Sequence, residues 1–428
     1  MDEARRLVQG VLLSGTTDSS NNLNMMTPST KRRAVVIVGA GASVEYGIPI
    51  TAKFGELIDQ AIQADAYCVS VGGAAAYFDV KQRLTAYYGS QDEAHFERIY
   101  HVMHELSELR TTPGAVPKFL PVMYPFVGGS APYETTALNV ACRTMLTYIY
   151  EHVSAVCAKP ACSLAPLGDF FECMLQRYVP RVYTTNYDDF VGQATGDTFF
   201  TGFTKAHGDH LDFDPASYWS RWDEPGLFHV HGSIHMGFPR GEPHDIGDIA
   251  WYPSKAEAAK HATFNGSGVS RMDGTMLARS AIITGLDKLG RLQQSPYAPF
   301  YAGLNRDLIE ADVIFVLGSG LTDLHLNTYL KEARRARPDL PILFVGYWGS
   351  DPDAFPLAIH GAPQDREISL FHDLRIDLFN AREVQFRAAD GWTVDAHGTA
   401  AVWADGFQSF LNTPAALQQV MRALGAPW

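Results

Sequence analysis

The sequence is short of several features, and each shortage narrows the possibilities. No apolar run reaches the roughly 18–20 residues that a membrane helix needs. Cysteine is scarce: Cys68, Cys142, Cys157, Cys162 and Cys173 are an odd number in 428 residues. That argues against a disulfide-built scaffold and predicts a reducing, cytoplasmic setting. No pair has C-x2-C spacing, and Cys157 and Cys162 lack a second arm, so no zinc or other metal is expected. Basic charge is also short, with 34 Lys and Arg against 47 Asp and Glu and a net charge of −13. Such a chain cannot neutralise phosphates over a broad face, so broad direct nucleic-acid binding is not expected. Asp2 and Glu3 stand where a secretion signal carries positive charge, and Gly10–Gly15 is too short for its apolar core. No internal repeat is visible.

What is present suffices for a large core: 46% of residues are hydrophobic and 12% aromatic, which excludes global disorder. The length implies two or three domains, or one with an insert. Residues 1–33 read as a flexible leader, rich in Ser, Thr, Asn and Asp from Ser14 to Thr30. Lys31-Arg32-Arg33 reads as a solvated strand entrance. Ala34–Gly39 is a continuous β-branched run of the kind buried on both faces of a parallel sheet. A helical pattern follows at Ala52–Ala64. Residues 61–175 read as a mostly helical insert, with helices at Asp92–Leu109 and Thr136–Val156 and a Pro/Gly-rich loop at Thr112–Pro132.

Strand character returns at Tyr178–Thr185, Leu227–Gly232, Ala281–Gly285, Asp312–Gly318 and Leu340–Gly346. Helices are expected at Leu304–Ala311 and Asn327–Arg335, and Gly237–Gly274 reads as irregular. The alternation predicts an α/β fold, a doubly wound parallel sheet with a mostly helical insert domain. Residues 351–428 form a short C-terminal extension. Its Trp392, Trp403 and Phe407 are candidates for an apolar assembly surface or for ordinary core. Thr413-Pro414 reads as the start of a final helix, with Thr as N-cap and Gly425 after the end.

Four constellations could carry chemistry. Gly39-Ala40-Gly41-Ala42-Ser43 follows a strand, where backbone N–H groups and a helix N-terminus can hold a phosphate. Position 44 is Val44, so the dinucleotide fingerprint G-x-G-x-x-G is incomplete and a redox enzyme is disfavoured. Asp59 stands about where a ribose-binding acid would, or is a plain helix-surface acid. Thr184-Thr185-Asn186-Tyr187-Asp188 ends a strand and faces the ligand crevice of such a sheet, though Asn and Asp also simply favour turns. His229-Val-His231-Gly-Ser-Ile-His235 has no nearby acid or cysteine in sequence to complete a metal site. His231, before Gly232, is the best candidate for a general base, and His229 and His235 read as packing residues. Gly318-Ser319-Gly320-Leu321 is a second small-residue nest.

In this order the four segments resemble the sirtuin superfamily: G-A-G-x-S followed by Gly47-Ile48-Pro49, T-Q-N-x-D with Thr185 in place of Gln, His231-Gly232, and a nest at Gly318–Leu321. There are departures. Ile50-Thr51-Ala52-Lys53 stands where deacylases carry Asp-Phe-Arg, and the four-cysteine zinc module is missing. The chain looks like the zinc-lacking bacterial branch of antiphage defence, whose members hydrolyse NAD. Shared features include His95-Phe96-Glu97, Ile282–Asp287 and Gly318–Asp323 leading to His325 and Asn327.

The resemblance implies a Rossmann-like domain over 34–350 and NAD as substrate, with Asn186, His231 and Asp188 catalytic. Gly39, Ala40, Gly41, Ser43, Pro49, Thr185, Gly318, Ser319, Leu321 and Asp323 would bind the dinucleotide. Gly39, Ala40 and Ser43 would hold the pyrophosphate, Asp188 the nicotinamide amide, and Asn186 the ribose or attacking water. His231 would act as base with an ordinary pKa of about 6.5. The implied activity is an NAD glycohydrolase that depletes NAD. It would be gated by homo-oligomerisation or by a partner such as a HerA-type ATPase or an Argonaute-type protein. An NAD-dependent protein deacylase and a non-catalytic NAD or nucleotide sensor are the alternatives.

Overall fold

The computed structural model describes residues 31–108, 133–240, 249–263, 265–270, 276–285, 288, 292, 294–321, 323–347, 371, 373–377, 387–388 and 391–428. The expected leader up to Thr30, the Thr112–Pro132 loop, Asp287 and nearly all of residues 348–386 lie outside them. The chain divides into Met1–Thr30 and a compact unit Lys31–Trp428, and everything below concerns the second.

The strands, in chain order, are β1 (Arg32–Val38), β2 (Tyr178–Thr184), β3 (Phe203–His207), β4 (His210–Phe213), β5 (Gly226–His229), β6 (Met236–Pro239), β7 (Ala250–Trp251), β8 (Ala262–Thr263), β9 (Asn265–Ser270), β10 (Met276–Ser280), β11 (Val313–Leu317), β12 (Ile342–Val345), β13 (Arg387–Ala388), β14 (Trp392–Val394) and β15 (Ala400–Trp403). The main sheet has the order β13-β14-β15-β12-β11-β1-β2-β5. From β15 through β12, β11, β1 and β2 to β5 every pairing is parallel.

Alternation along β1 shows why the run is apolar throughout. Ala34, Val36 and Val38 enter one core with Tyr46, Ile58, Met145 and Phe171. Val35 and Ile37 enter a second core on the opposite face with Leu304, Leu308 and Leu330. Both faces are covered, the usual state of a parallel sheet.

Between β1 and β2 lie helices Thr51–Ala64, Ala66–Ser70, Gly73–Tyr88, Phe96–Glu108, Thr135–Ala158 and Ala165–Leu175. Their buried side chains join the same core as β1. Helix Tyr297–Glu310 starts seven residues before the expected Leu304, because Tyr297, Phe300 and Tyr301 share its buried face with Leu304 and Leu308. Helix Leu324–Ala336 follows β11.

Three segments differ from expectation. Gly237–Gly274 contains strands, most of them in a small antiparallel sheet of order β3-β4-β7-β6-β8. Strands of two to six residues carry too little periodicity to be read in a Gly- and His-rich stretch. Ala281–Gly285 is a buried connection rather than a strand, and the strand lies just before it in β10. Arg33 is not solvated: its guanidinium meets Asp307 at 2.7 Å, beside buried Arg181 at 3.0 Å from the same carboxylate.

The C-terminal segment joins the sheet through β13, β14 and β15. Trp392, Trp403 and Phe407 are 2–3% exposed and sit in core rather than on an assembly surface. Helix Pro414–Ala423 forms, but Thr413 does not cap it by its side chain. Its hydroxyl donates backwards to the carbonyls of Ser409 and Phe410. Among the described residues no helix is long and apolar enough to cross a membrane.

Candidate functional site

The chain leaves β1 toward β2 and β5 on one side and later returns to β11 and β12 on the other. The C-terminal ends of β1 and β11 therefore flank the point where the winding reverses, where open α/β sheets hold ligands. Both glycine nests lie there and touch. Gly39 N–H donates to Leu317 O at 2.8 Å, and Gly41 N–H to Gly318 O at 2.7 Å. Gly318 has φ +63°, and a Cβ on it would overlap the Ala42 backbone nitrogen. Glycine is thus demanded at 318 by both conformation and contact. Ala40 and Gly41 are exposed at the crevice. The helical turn that begins at Gly41 ends at Val44, and the longer helix starts only at Thr51. Any phosphate grip here rests on local N–H groups, since one turn contributes little dipole.

Ser43 is the hub of the next layer. Its buried hydroxyl donates to Asp188 Oδ2 at 2.6 Å and accepts from Asn186 Nδ2 at 2.7 Å. Asn186 Nδ2 also donates to Gly39 O at 2.9 Å. Asp188 Oδ1 accepts from Phe190 N–H at 3.3 Å. Burial pushes the Asp188 carboxyl up to about 6, with the Ser43 and Phe190 bonds acting against it. Three predicted residues therefore meet, but their first partners are one another. Thr185 turns its hydroxyl back to Val38 O at 3.4 Å. Pro49 is half-buried in the loop before helix Thr51–Ala64.

The histidine loop is laid against this layer by backbone bonds: Val230 N–H to Thr184 O at 3.0 Å and Ile234 N–H to Tyr187 O at 2.9 Å. Gly232 has φ +94°, and a Cβ there would overlap Ala281 O. His231 Nε2 lies 3.4 Å from His325 Nε2, which lies 2.8 Å from the Tyr301 hydroxyl. Asp323 joins this group, with His231, His325 and Asp323 donor atoms all within 4.8 Å of one another. Lys288 Nζ sits 2.8 Å from Asp323 Oδ1.

The expected ordinary pKa for His231 does not hold. Burial, reinforced by Lys288 and by His325, pushes it down to about 3 against the opposing pull of Asp323. Burial opposes ionisation of Asp323, yet His231, Lys288 and His325 hold its carboxyl below the usual range. Glu97 is half-buried and pushed up by burial, with Lys288 opposing. The sequence offers no acid near the histidine loop, but the fold supplies Asp323 from 92 positions away. Its carboxylate already faces the Lys288 ammonium, so a metal cation there meets like charge.

His229 and His235 are buried, as packing residues should be. His229 Nδ1 contacts Asn186 O at 3.2 Å, and burial pushes its pKa down to about 4. His235 stacks on Trp251 and contacts Asp189 Oδ2 at 3.2 Å. Both line a cavity of about 340 Å³ with Phe203, Arg221 and Trp251. Ser319 Oγ accepts from Leu321 N–H at 3.2 Å. Leu321 is buried at φ +53°, held there by Asn327 Nδ2 on its carbonyl at 2.7 Å. Asp59 lies on the insert helix and accepts from Tyr77 OH at 2.8 Å, which is a structural use. Sequence reasoning missed Lys288 and Tyr301. A lone Lys in a loop and a Tyr in a helix carry no local signal of a shared site.

The family model described as a SIR2-like domain matches residues 180–358, a stretch that includes Asn186, Asp188, His231 and Gly318–Asp323. Solved structures similar to the chain include a mutant Sir2 homologue with ADP-ribose, at 11% identity and TM-score 0.34, covering 81% of this chain and 92% of that one. Another is a Sir2 homologue–NAD complex, at 13% identity and TM-score 0.34, covering 74% and 78%. A search of curated proteins finds no match.

Proposed function

We propose that the protein is an NAD glycohydrolase, converting NAD to ADP-ribose and nicotinamide, and that it serves as an NAD-depleting effector of antiphage defence. One observation carries the reading. Four segments far apart in sequence, each resembling a sirtuin motif, meet at the reversal point of the sheet: Gly39–Ser43, Thr185–Asp188, His231–Gly232 and Gly318–Asp323. The SIR2-like domain match supports it.

Cleavage of the nicotinamide bond builds oxocarbenium character at ribose C1′. The exposed Ala40–Gly41 backbone would take the pyrophosphate, with Ser319 toward the adenosine side. Asn186 and Asp188, poised around Ser43, would exchange part of that network for the nicotinamide amide and ribose. His231, neutral through the physiological range, would orient the attacking water and receive its proton. Attack on so electrophilic a carbon demands little basicity, which a depressed pKa can meet. Such an activity requires gating, by self-assembly or by a separate partner of the HerA or Argonaute type.

The test is nicotinamide release from NAD by purified protein beside His231→Ala and Asn186→Ala. Both variants should stay folded and lose at least about 10²-fold in turnover, the low end for a lost general base. Wild-type turnover in either variant sinks the assignment. Product that forms only with an acetylated peptide, as O-acetyl-ADP-ribose, replaces it with a deacylase. Bound NAD left intact, with candidate partners present, replaces it with a sensor.

A further inference from the structure

The β3–β4 hairpin lies outside the crevice and carries a cluster that neither the site nor the core uses. Its turn, Gly208–Asp209, sets His207 directly opposite His210. The two-residue strand period puts Asp212 on the same face as His210. Donor atoms of His207, His210 and Asp212 all lie within 4.8 Å of one another.

The ring of His210 is oriented from behind. Its Nδ1 lies 2.8 Å from Asp209 Oδ1, so an N–H belongs on Nδ1 and Nε2 is the nitrogen left to meet a ligand. Asp209 is itself braced, its other oxygen 3.0 Å from His261 Nδ1, whose Nε2 is 3.1 Å from Glu257. His210 Nε2 is buried and, among the described residues, has no hydrogen-bond partner. What it faces is Asp212 Oδ1 at 3.5 Å, while the other Asp212 oxygen faces His207 Nδ1 at 3.6 Å. A carboxylate opposite this nitrogen is matched by either a proton or a metal cation standing between them.

We propose that His207, His210 and Asp212 form a site for a divalent transition-metal ion, best matched by Zn²⁺, with Asp209 as the carboxylate that orients His210. Donors about 2.0–2.2 Å from a tetrahedral zinc stand about 3.3–3.6 Å apart, and each histidine stands 3.5–3.6 Å from an oxygen of Asp212. Two imidazoles and one carboxylate suit zinc better than the hard ions Mg²⁺ and Ca²⁺, which take all-oxygen sets. A carboxylate on the far ring nitrogen is the usual outer partner of a metal-bound histidine. The fourth position stays open to water. Cysteine spacing, which predicted no zinc, is blind to such a set.

The experiment titrates chelator-treated full-length protein with Zn²⁺ by calorimetry and with Co²⁺ by visible absorption. One ion per chain is expected, with a tetrahedral Co²⁺ spectrum. His207→Ala and Asp212→Asn, whose side chains are 59% and 47% exposed, should keep the fold and each weaken binding at least about tenfold. His325→Ala, in the other histidine–acid group, should leave it unchanged. No binding by wild type in a molar excess of Zn²⁺ overturns the proposal. So does equal binding by the hairpin variants, or loss only in His325→Ala.

Discussion

The two halves of the candidate site are built on opposite plans. Around Ser43 the polar groups satisfy one another: Asn186, Asp188 and Gly39 O close a buried network with no charge-balancing cation in it. Around His231 the groups are charged or titratable: the His231–His325 contact is long at 3.4 Å, and Lys288 balances Asp323 beside His325. The first half fixes the shape of the glycine turn. The second sets an electrostatic environment and leaves ring nitrogens available. A closed network is costly to cut, because each severed bond strands a buried partner. An open one can lose a member and keep its fold.

Stability measurements can break that contrast. Asn186→Ala removes one donor from Gly39 O, which keeps the Ala42 N–H at 3.0 Å, and one from the buried Ser43 hydroxyl, and should cost about 2–3 kcal/mol in denaturant unfolding. His325→Gln, in the half-buried open group, should cost less than about 1 kcal/mol. Equal losses would mean that both halves are structural scaffolding. A smaller and pH-dependent effect belongs to Asp188. Its folded pKa of about 6 lies above the ordinary 3.8, so the folded state holds the proton more tightly than the unfolded state. Relative stability from this group therefore grows as pH falls from about 6 toward 4, and is lost above 6. Asp188→Asn removes that penalty. The variant should gain about 1–2 kcal/mol on wild type at pH 8 and nothing at pH 4. A gain that is constant with pH would show that Asp188 is not the perturbed group.

The sequence revealed the parallel sheet and concealed the antiparallel one, for a physical reason. β11, β12 and β1 from Ala34 on are buried on both faces, so each is an unbroken apolar run that needs no partner to be recognised, and β2 reads as a strand despite Pro180 and Arg181 because β-formers flank them. β6, β7 and β8 are two to four residues long, β6 carries both Gly and Pro, and only their pairing defines them. The site divides the same way. Gly39–Ser43, Asn186, Asp188 and His231 stand in local motifs whose residue types have mechanical reasons to be there. Lys288, Tyr301 and the His325–His231 contact exist only after helix Leu324–Ala336 is docked, so nothing local announces them. The C-terminal tryptophans show a further limit. Trp392 and Trp403 read as ordinary core with an assembly surface as the alternative, and the pairing of β15 with β12 decides for core.

The finest test concerns protonation alone. If burial governs the histidine half, His231 and His229 stay neutral from pH 8 down to about pH 5, with folded pKa values of about 3 and about 4. The sign follows from the unfolded value near 6.5: their neutral burial supports the fold above pH 6.5, and that support is lost as pH falls through the window down to about 4. Imidazole nitrogen shifts of specifically labelled protein can follow both rings. Two rings that do not titrate between pH 8 and 5, followed by cooperative unfolding at lower pH, would match the buried arrangement. A His231 ring that titrates near 6.5 in the folded protein would place it in water. It would then be an ordinary solvent-facing base, and the difference between the two halves would reduce to hydrogen bonding.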